Sequence, residues 1–249
     1  MSYKMANIEI QQTQPNIKTD PDPTPQIEIL ESHYFLKENF LSHSENQQLL
    51  NYVLPKESDF VPAVVSNESA TNRLKNQENR RALVLQSFAK FEELIVKKIQ
   101  EILPDVFTKL NVPEFSISKF ETQLTAHNDR NFYKTHVDNQ YPVDTRVITY
   151  VYYFYQQPKA FTGGNLRIYD SKIQGKYYST ADTFKTIEPK NNSIVFFFSS
   201  YLHEVLPVSC PSKTFADSRF TINGWIHRID ILPGLKARGF LPSRSPSAG

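Results

Sequence analysis

The sequence predicts a mainly β fold, a barrel or sandwich of short strands buttressed by helices that precede them. Two observations carry this expectation. Apolar residues recur at helical spacing before about residue 112 and alternate with a period of two from Phe115 onward, so helices come first and strands afterwards. The second half then contains a succession of strand-like runs, each closed by turn-forming residues, with no internal repeat.

Taken in order, residues 1–26 are polar and proline-rich and bury too little apolar surface to offset their ordering entropy, which predicts a disordered arm. Residues 44–54 (SENQQLLNYVL) offer Ser44 as an N-cap and then Leu49, Leu50, Val53 and Leu54 at helical spacing. A short strand is expected at 60–65 and a polar, charged surface loop at 67–80. Residues 88–110 place Phe88, Phe91, Leu94, Ile95, Ile99, Ile102 and Leu103 on one face, an amphipathic helix expected to break or end near Pro104. Strands are expected at 115–125, 133–137, 147–155, 165–169, 193–198, 203–208 and 219–229. The punctuation between them is Asn128-Asp129, Gly163-Gly164, the run from Pro189 to Asn192, and Cys210-Pro211. Residues 232–249 read as a tail. The expectation is one domain over 27–231, with helices in 27–112 and the β core in 113–231.

Composition bounds the function. Apolar residues make up 39% and aromatics 13%, enough for a core and too many for a disordered chain. The 28 basic and 26 acidic residues leave a formal charge of +2, which gives no reason to expect a nucleic-acid or membrane-surface partner. Cys210 is the only cysteine, so no intrachain disulfide can form and a reducing compartment is the simpler reading. The first ten residues lack a signal-peptide core, and the longest apolar stretch, 194–198, is too short to span a bilayer. A soluble, cytoplasmic protein is expected. Nothing in the sequence fixes its oligomeric state.

Chemistry concentrates in a few residues. His136-Val137-Asp138 sets an imidazole and a carboxylate at i and i+2, on the same side of an extended backbone. His203 follows the apolar run SIVFFF and opens another strand. Two imidazoles and one carboxylate form a facial set that leaves three adjacent positions of Fe(II) open, two for a keto acid and one for O₂. A four-ligand structural zinc site would leave no such room. Arg219 begins the strand RFTINGW, whose alternation sets Arg219, Thr221, Asn223 and Trp225 on one face. A cation carried into a barrel needs an anionic partner, and the distal carboxylate of 2-oxoglutarate suits a guanidinium fork.

The ordered set HVDNQYPVDTRVITYVYYFYQQPKAFTGGNLRIYD, IEPKNNSIVFFF, HEVLPV and RFTINGW closely resembles the prolyl 4-hydroxylase-type 2-oxoglutarate/Fe(II) dioxygenases, the hypoxia-sensing prolyl hydroxylases in particular. The resemblance runs over about residues 115–228. It implies a double-stranded β-helix core, jelly-roll or cupin-like, supported by the N-terminal helices. It implies Fe(II) on His136, Asp138 and His203, which makes these the catalytic residues, and 2-oxoglutarate held by Arg219 and Tyr153, with Thr221 beside them. It implies hydroxylation of a C–H bond with release of succinate and CO₂, and ascorbate as a candidate reductant. The substrate class it favours is a prolyl residue in a peptide or protein, or a related amino acid. A non-prolyl small molecule is the alternative, and a zinc hydrolase or a catalytically dead binding module are the readings from other classes.

Arg146, Arg167 and Trp225 are candidates for the substrate side or for supporting the ligands. Three features depart from the family pattern. The gap from His203 to Arg219 is lengthened by SCPSKTFADS, beyond the usual spacing of about ten residues, and Lys213 sits at the shorter distance as a rival to Arg219. Arg219 is preferred because it starts the strand pattern. The family tyrosine on the strand before His136 is missing, with Ala126 or a neighbour in its place. Residues 171–186 look longer than their counterpart, and loops there and at 67–80 could cover the site. His127 and His227 are expected to be structural or surface groups, and Gly163-Gly164 a turn.

Overall fold

The computed structural model describes residues 27–63, 78–139, 145–174 and 177–229. The arm expected at 1–26, the tail expected at 232–249 and nearly all of the loop expected at 67–80 lie outside those residues.

Two helices precede most of the strands. Helix α1 (His43–Val53) starts two residues earlier than a Ser44 cap would allow. The cap is Ser42, whose Oγ accepts from Glu45 N–H while the Glu45 carboxylate accepts from Ser42 N–H, a reciprocal capping box. Helix α2 (Ala89–Leu110) runs through Pro104 rather than breaking there. Pro104 and Gln100, whose carbonyl loses its intrahelical donor, are both exposed, so water can satisfy the orphaned group. The helix ends on Asn111, whose φ of 53° is left-handed.

The strands are β1 (Ile27–Leu30), β2 (Tyr34–Glu38), β3 (Val61–Pro62), β4 (Arg80–Arg81), β5 (Leu83–Leu85), β6 (Ile117–His127), β7 (Phe132–His136) and β8 (Arg146–Phe154). They continue with β9 (Thr162–Gly163), β10 (Leu166–Gln174), β11 (Tyr177–Ile187), β12 (Ser193–Phe198), β13 (His203–Val205), β14 (Val208–Ser209) and β15 (Arg219–Arg228). One antiparallel sheet has the order β2-β12-β8-β15-β6-β5-β3. The other runs β1-β10-β13-β7-β4, with β11 also on β10, and a small β14-β9 pair stands apart. This is the mainly β, jelly-roll core that the strand pattern and the resemblance led us to expect.

Two expectations change. Residues 171–174 and 177–186 are not loop: they lie on the paired strands β10 and β11, and the run YYSTADTFKTI is rich in the aromatic and β-branched residues that strands favour. The strand at 60–65 is reduced to β3, with residues 64 and 65 outside the described set.

Strand alternation decides what faces what. On β8, Ile148, Tyr150, Tyr152 and Phe154 enter the core shared with Ile95 and Ile99 of α2. The Tyr152 hydroxyl there accepts from Asn46 Nδ2 of α1 at 2.7 Å. The opposite face of the same strand carries Thr149, Val151 and Tyr153 toward the other sheet. Polar chemistry can therefore sit between the sheets without opening the helix-side core.

Candidate metal centre

His136 ends β7 and His203 opens β13, and the two are direct cross-strand partners. Asp138, two residues past β7, is tied by its N–H to Ser199 O at 2.9 Å, at the end of β12. One ligand atom from each of the three lies within 4.8 Å of the others. His203 and Asp138 are buried and His136 is half-buried.

Hydrogen bonds fix the rings. His136 Nδ1 lies 2.8 Å from Lys134 O and His203 Nδ1 lies 2.9 Å from Tyr201 O. A carbonyl only accepts, so both Nδ1 atoms donate, which leaves both Nε2 atoms as the ones available to a metal. Those Nε2 atoms face Asp138 at 3.6 and 3.3 Å. Two imidazole nitrogens and a carboxylate thus converge on one point, a donor set that suits a divalent cation. Burial, with His203 beside it, pushes the His136 imidazole below its usual range, which keeps it a neutral donor ligand.

Supporting contacts hold this set. Thr149 Oγ1 donates to Asp138 Oδ2 at 2.8 Å and lies 2.9 Å from Ser199 Oγ. Tyr133 stacks on His136 with centroids 3.5 Å apart. Thr149→Val keeps the shape and removes the donor, so iron affinity is expected to fall about ten- to a hundredfold with the melting curve little changed. Competition with a chromogenic chelator measures the first and circular dichroism the second.

Arg219 occupies the far part of the inter-sheet space and is 1% exposed. Its Nη1 donates to His127 Nδ1 at 3.3 Å, its Nε has no partner, and its guanidinium lies 4.9 Å from the centroid of the Tyr153 ring. No carboxylate pairs with it among the described residues. The Tyr153 hydroxyl is likewise buried and unpartnered, and Thr221 lies between Tyr153 and Thr125 across the sheet. A buried guanidinium with no carboxylate partner among the described residues, beside a buried hydroxyl, fits an incoming carboxylate. Gly164 makes room: at φ 65°, a Cβ there would come within 2.7 Å of Arg219 Cδ. The glycine pair is both a turn and a close approach.

Lys213, the rival to Arg219, is exposed in a turn with φ 54° and takes no part. Arg146 lies flat on Trp225, its Cζ 3.6 Å from the ring centroid, and pairs with Glu121 at 2.8 Å. Its Nη1 reaches Asp138 O at 3.4 Å, so it borders the centre. Arg167 is turned to Glu204 at 3.1 Å and to the Phe184 ring, an ordinary cross-strand anchor.

His227 is a structural group, as expected: it is buried and bonded to Glu121 at 2.9 Å. Although burial raises it, the Glu121 carboxyl is brought down to about 2 by His227 and Arg146. Arg80, assigned to a surface loop, sits on β4 with Nη2 2.7 Å from Gln123 Oε1 and its guanidinium 4.9 Å from the Tyr133 ring centroid. Thr149, which nothing in the sequence singles out, holds the Asp138 carboxylate. His127, not Ala126, is the residue opposite Arg219, because Ala126 points the other way on β6.

Comparison with known proteins agrees with this geometry. Residues 122–227 match the family model of the 2OG-Fe(II) oxygenase superfamily. A PKHD-type hydroxylase of Synechocystis is 41% identical over 191 residues, 76% of this chain. The chain spans 61% of that relative's length. Among solved structures, a Pseudomonas putida prolyl-4-hydroxylase aligns with a TM-score of 0.54 and 20% identity, over 80% of this chain and 94% of the other. A Trichoplax adhaerens prolyl hydroxylase, in complex with a peptide of the hypoxia-inducible factor oxygen degradation domain, aligns at 0.52 and 16%, over 79% and 84%. The family implies Fe(II), 2-oxoglutarate and O₂, and the three donors could hold the iron. Residues 122–227 thus carry a 2OG-Fe(II) oxygenase-type domain, and the chain has the fold of the prolyl 4-hydroxylases it aligns with.

Proposed function

We propose that a single domain over residues 27–231 is a 2-oxoglutarate- and Fe(II)-dependent dioxygenase that hydroxylates an unactivated C–H bond and releases succinate and CO₂. The observation that carries the reading is the buried, carboxylate-free Arg219 in the same inter-sheet space as the three-donor centre. A zinc hydrolase would account for His136, Asp138 and His203 but gives Arg219 and Tyr153 nothing to do.

Bound iron would supply O₂ activation coupled to oxidative decarboxylation of the keto acid. The chain's own part is positional. His136, Asp138 and His203 would hold one side of the ion and leave the other side to ligands. Thr149 would keep the Asp138 carboxylate aimed, Arg219 and Tyr153 would orient the far carboxylate of the co-substrate, and the two sheets would exclude water around them.

The substrate assigned is a prolyl residue in a peptide or protein, or a related amino acid. The prolyl-4-hydroxylase fold and the peptide carried by the Trichoplax neighbour support testing peptides first. The purified protein, supplied with Fe(II), 2-oxoglutarate, O₂ and ascorbate, is incubated with proline-containing peptides and free proline. Succinate and a product heavier by one oxygen atom on proline are expected. Absence of succinate with every candidate, together with no visible charge-transfer band on anaerobic addition of Fe(II) and 2-oxoglutarate, overturns the reading.

A further inference from the structure

His127 is a buried histidine beside Arg219 that the proposed chemistry leaves without a task. It ends β6, is 4% exposed, and stands directly across the ladder from Arg219. A guanidinium can only donate, so the 3.3 Å contact from Arg219 Nη1 makes His127 Nδ1 an acceptor. The ring is therefore neutral and carries its proton on Nε2. That Nε2 is buried and has no partner. A buried donor left unmet costs stability comparable to a lost hydrogen bond, so an acceptor arriving with a ligand would recover it. Burial first, and then Arg219 and Arg80, drive the imidazole well below its ordinary range, which agrees with the tautomer read from geometry.

We infer that His127 is a third anchor of the co-substrate, its Nε2–H donating to the same distal carboxylate that Arg219 and Tyr153 receive. This rests on the proposed 2-oxoglutarate chemistry and deepens it. The distal end is assigned because His127 is bonded to Arg219, which faces Tyr153 on the next strand, whereas the three metal donors come from the opposite sheet and the segments beside it. His127 also acts on Arg219: its Nδ1 holds one arm of the guanidinium and leaves Nε and the other arm for the ligand.

The test is anaerobic titration of the Fe(II)-loaded protein, followed through the charge-transfer band, with 2-oxoglutarate and with 2-oxopentanoate. The second acid has the same keto-acid end and a methyl group where the distal carboxylate would be. His127→Phe keeps a ring and loses the N–H, His127→Leu loses both in a smaller volume than Phe, and His127→Gln restores an N–H near the Nε2 position. The Phe and Leu variants are expected to bind 2-oxoglutarate about tenfold more weakly, with Gln within about threefold of wild type. All four proteins should bind 2-oxopentanoate alike. Unchanged 2-oxoglutarate affinity in whichever apolar variant folds overturns the inference. So does an equal loss for both acids, which would mean that His127 only shapes the site. A wild type without the band brings down the proposed function and this inference together. A wild type with the band and indifferent variants brings down this inference alone.

Discussion

Asp138→Ala is expected to give a folded protein that no longer holds iron. The side chain is the only carboxylate of the centre and is buried against two imidazole nitrogens and the Thr149 hydroxyl. Losing an outer contact to a ligand costs about ten- to a hundredfold in metal affinity, so losing the ligand itself should cost more than about a hundredfold. Turnover should fall to the assay floor. The fold should survive, because the backbone bond from Asp138 N–H to Ser199 O that ties this segment to β12 does not depend on the side chain. Chelator competition, succinate formation and a thermal melt measured together check the prediction. A variant that retains iron and makes succinate at a rate near wild type would mean that the metal sits elsewhere.

How much of this centre could be read beforehand depends on whether a residue's role is local in sequence. His136 and Asp138 were legible because i and i+2 share a face of extended chain, and His203 because it stands where an apolar strand run stops. Arg219 emerged from alternation along RFTINGW, and the structure places Lys213, its rival, out in a turn. What could not be read was cross-strand register. His127 and Ala126 are neighbours in sequence, but a shift of one residue reverses the face, and only pairing with β15 shows which of them meets Arg219. Arg80 was hidden in the same way, since the charged segment around it resembles loop and its position is set by pairing with Tyr133 on β7.

The fold was legible at the level of class and less so at element ends. The change from helical to alternating period located the boundary between α2 and β6. Pro104 misled because a proline's effect depends on which side of the helix it occupies, and here that side faces solvent. Strands β10 and β11 read as loop in the sequence because polar residues stand between their apolar ones. Half-exposed strands do this routinely, and their β-branched content was the better signal.

Arg219→Met should act in opposite directions on the empty and the loaded protein. In the wild type without co-substrate, a fully buried guanidinium bonds to a neutral imidazole, with Nε unmet and no acidic partner among the described residues. Replacing buried ionic groups by apolar side chains of similar volume is often neutral or stabilises by about 1–4 kcal/mol. The empty variant should therefore melt no lower than wild type. With 2-oxoglutarate and Fe(II) present under anaerobic conditions, wild type should gain stability in step with ligand concentration, and the variant should gain almost none over the same range. Truncating one partner of a buried charge pair costs about 2–5 kcal/mol, so affinity for 2-oxoglutarate should fall by roughly thirtyfold or more. Arg219→Lys should recover little of it, since an ammonium cannot supply the two parallel N–H bonds of the guanidinium fork. Thermal melts across a 2-oxoglutarate series read both effects in one experiment. An empty Arg219→Met that melts well below wild type would make the guanidinium a structural group, and an unchanged ligand-induced shift would remove it from the co-substrate site. Either result would leave the iron ligands standing but take away the observation that selects a keto acid over other partners for that iron.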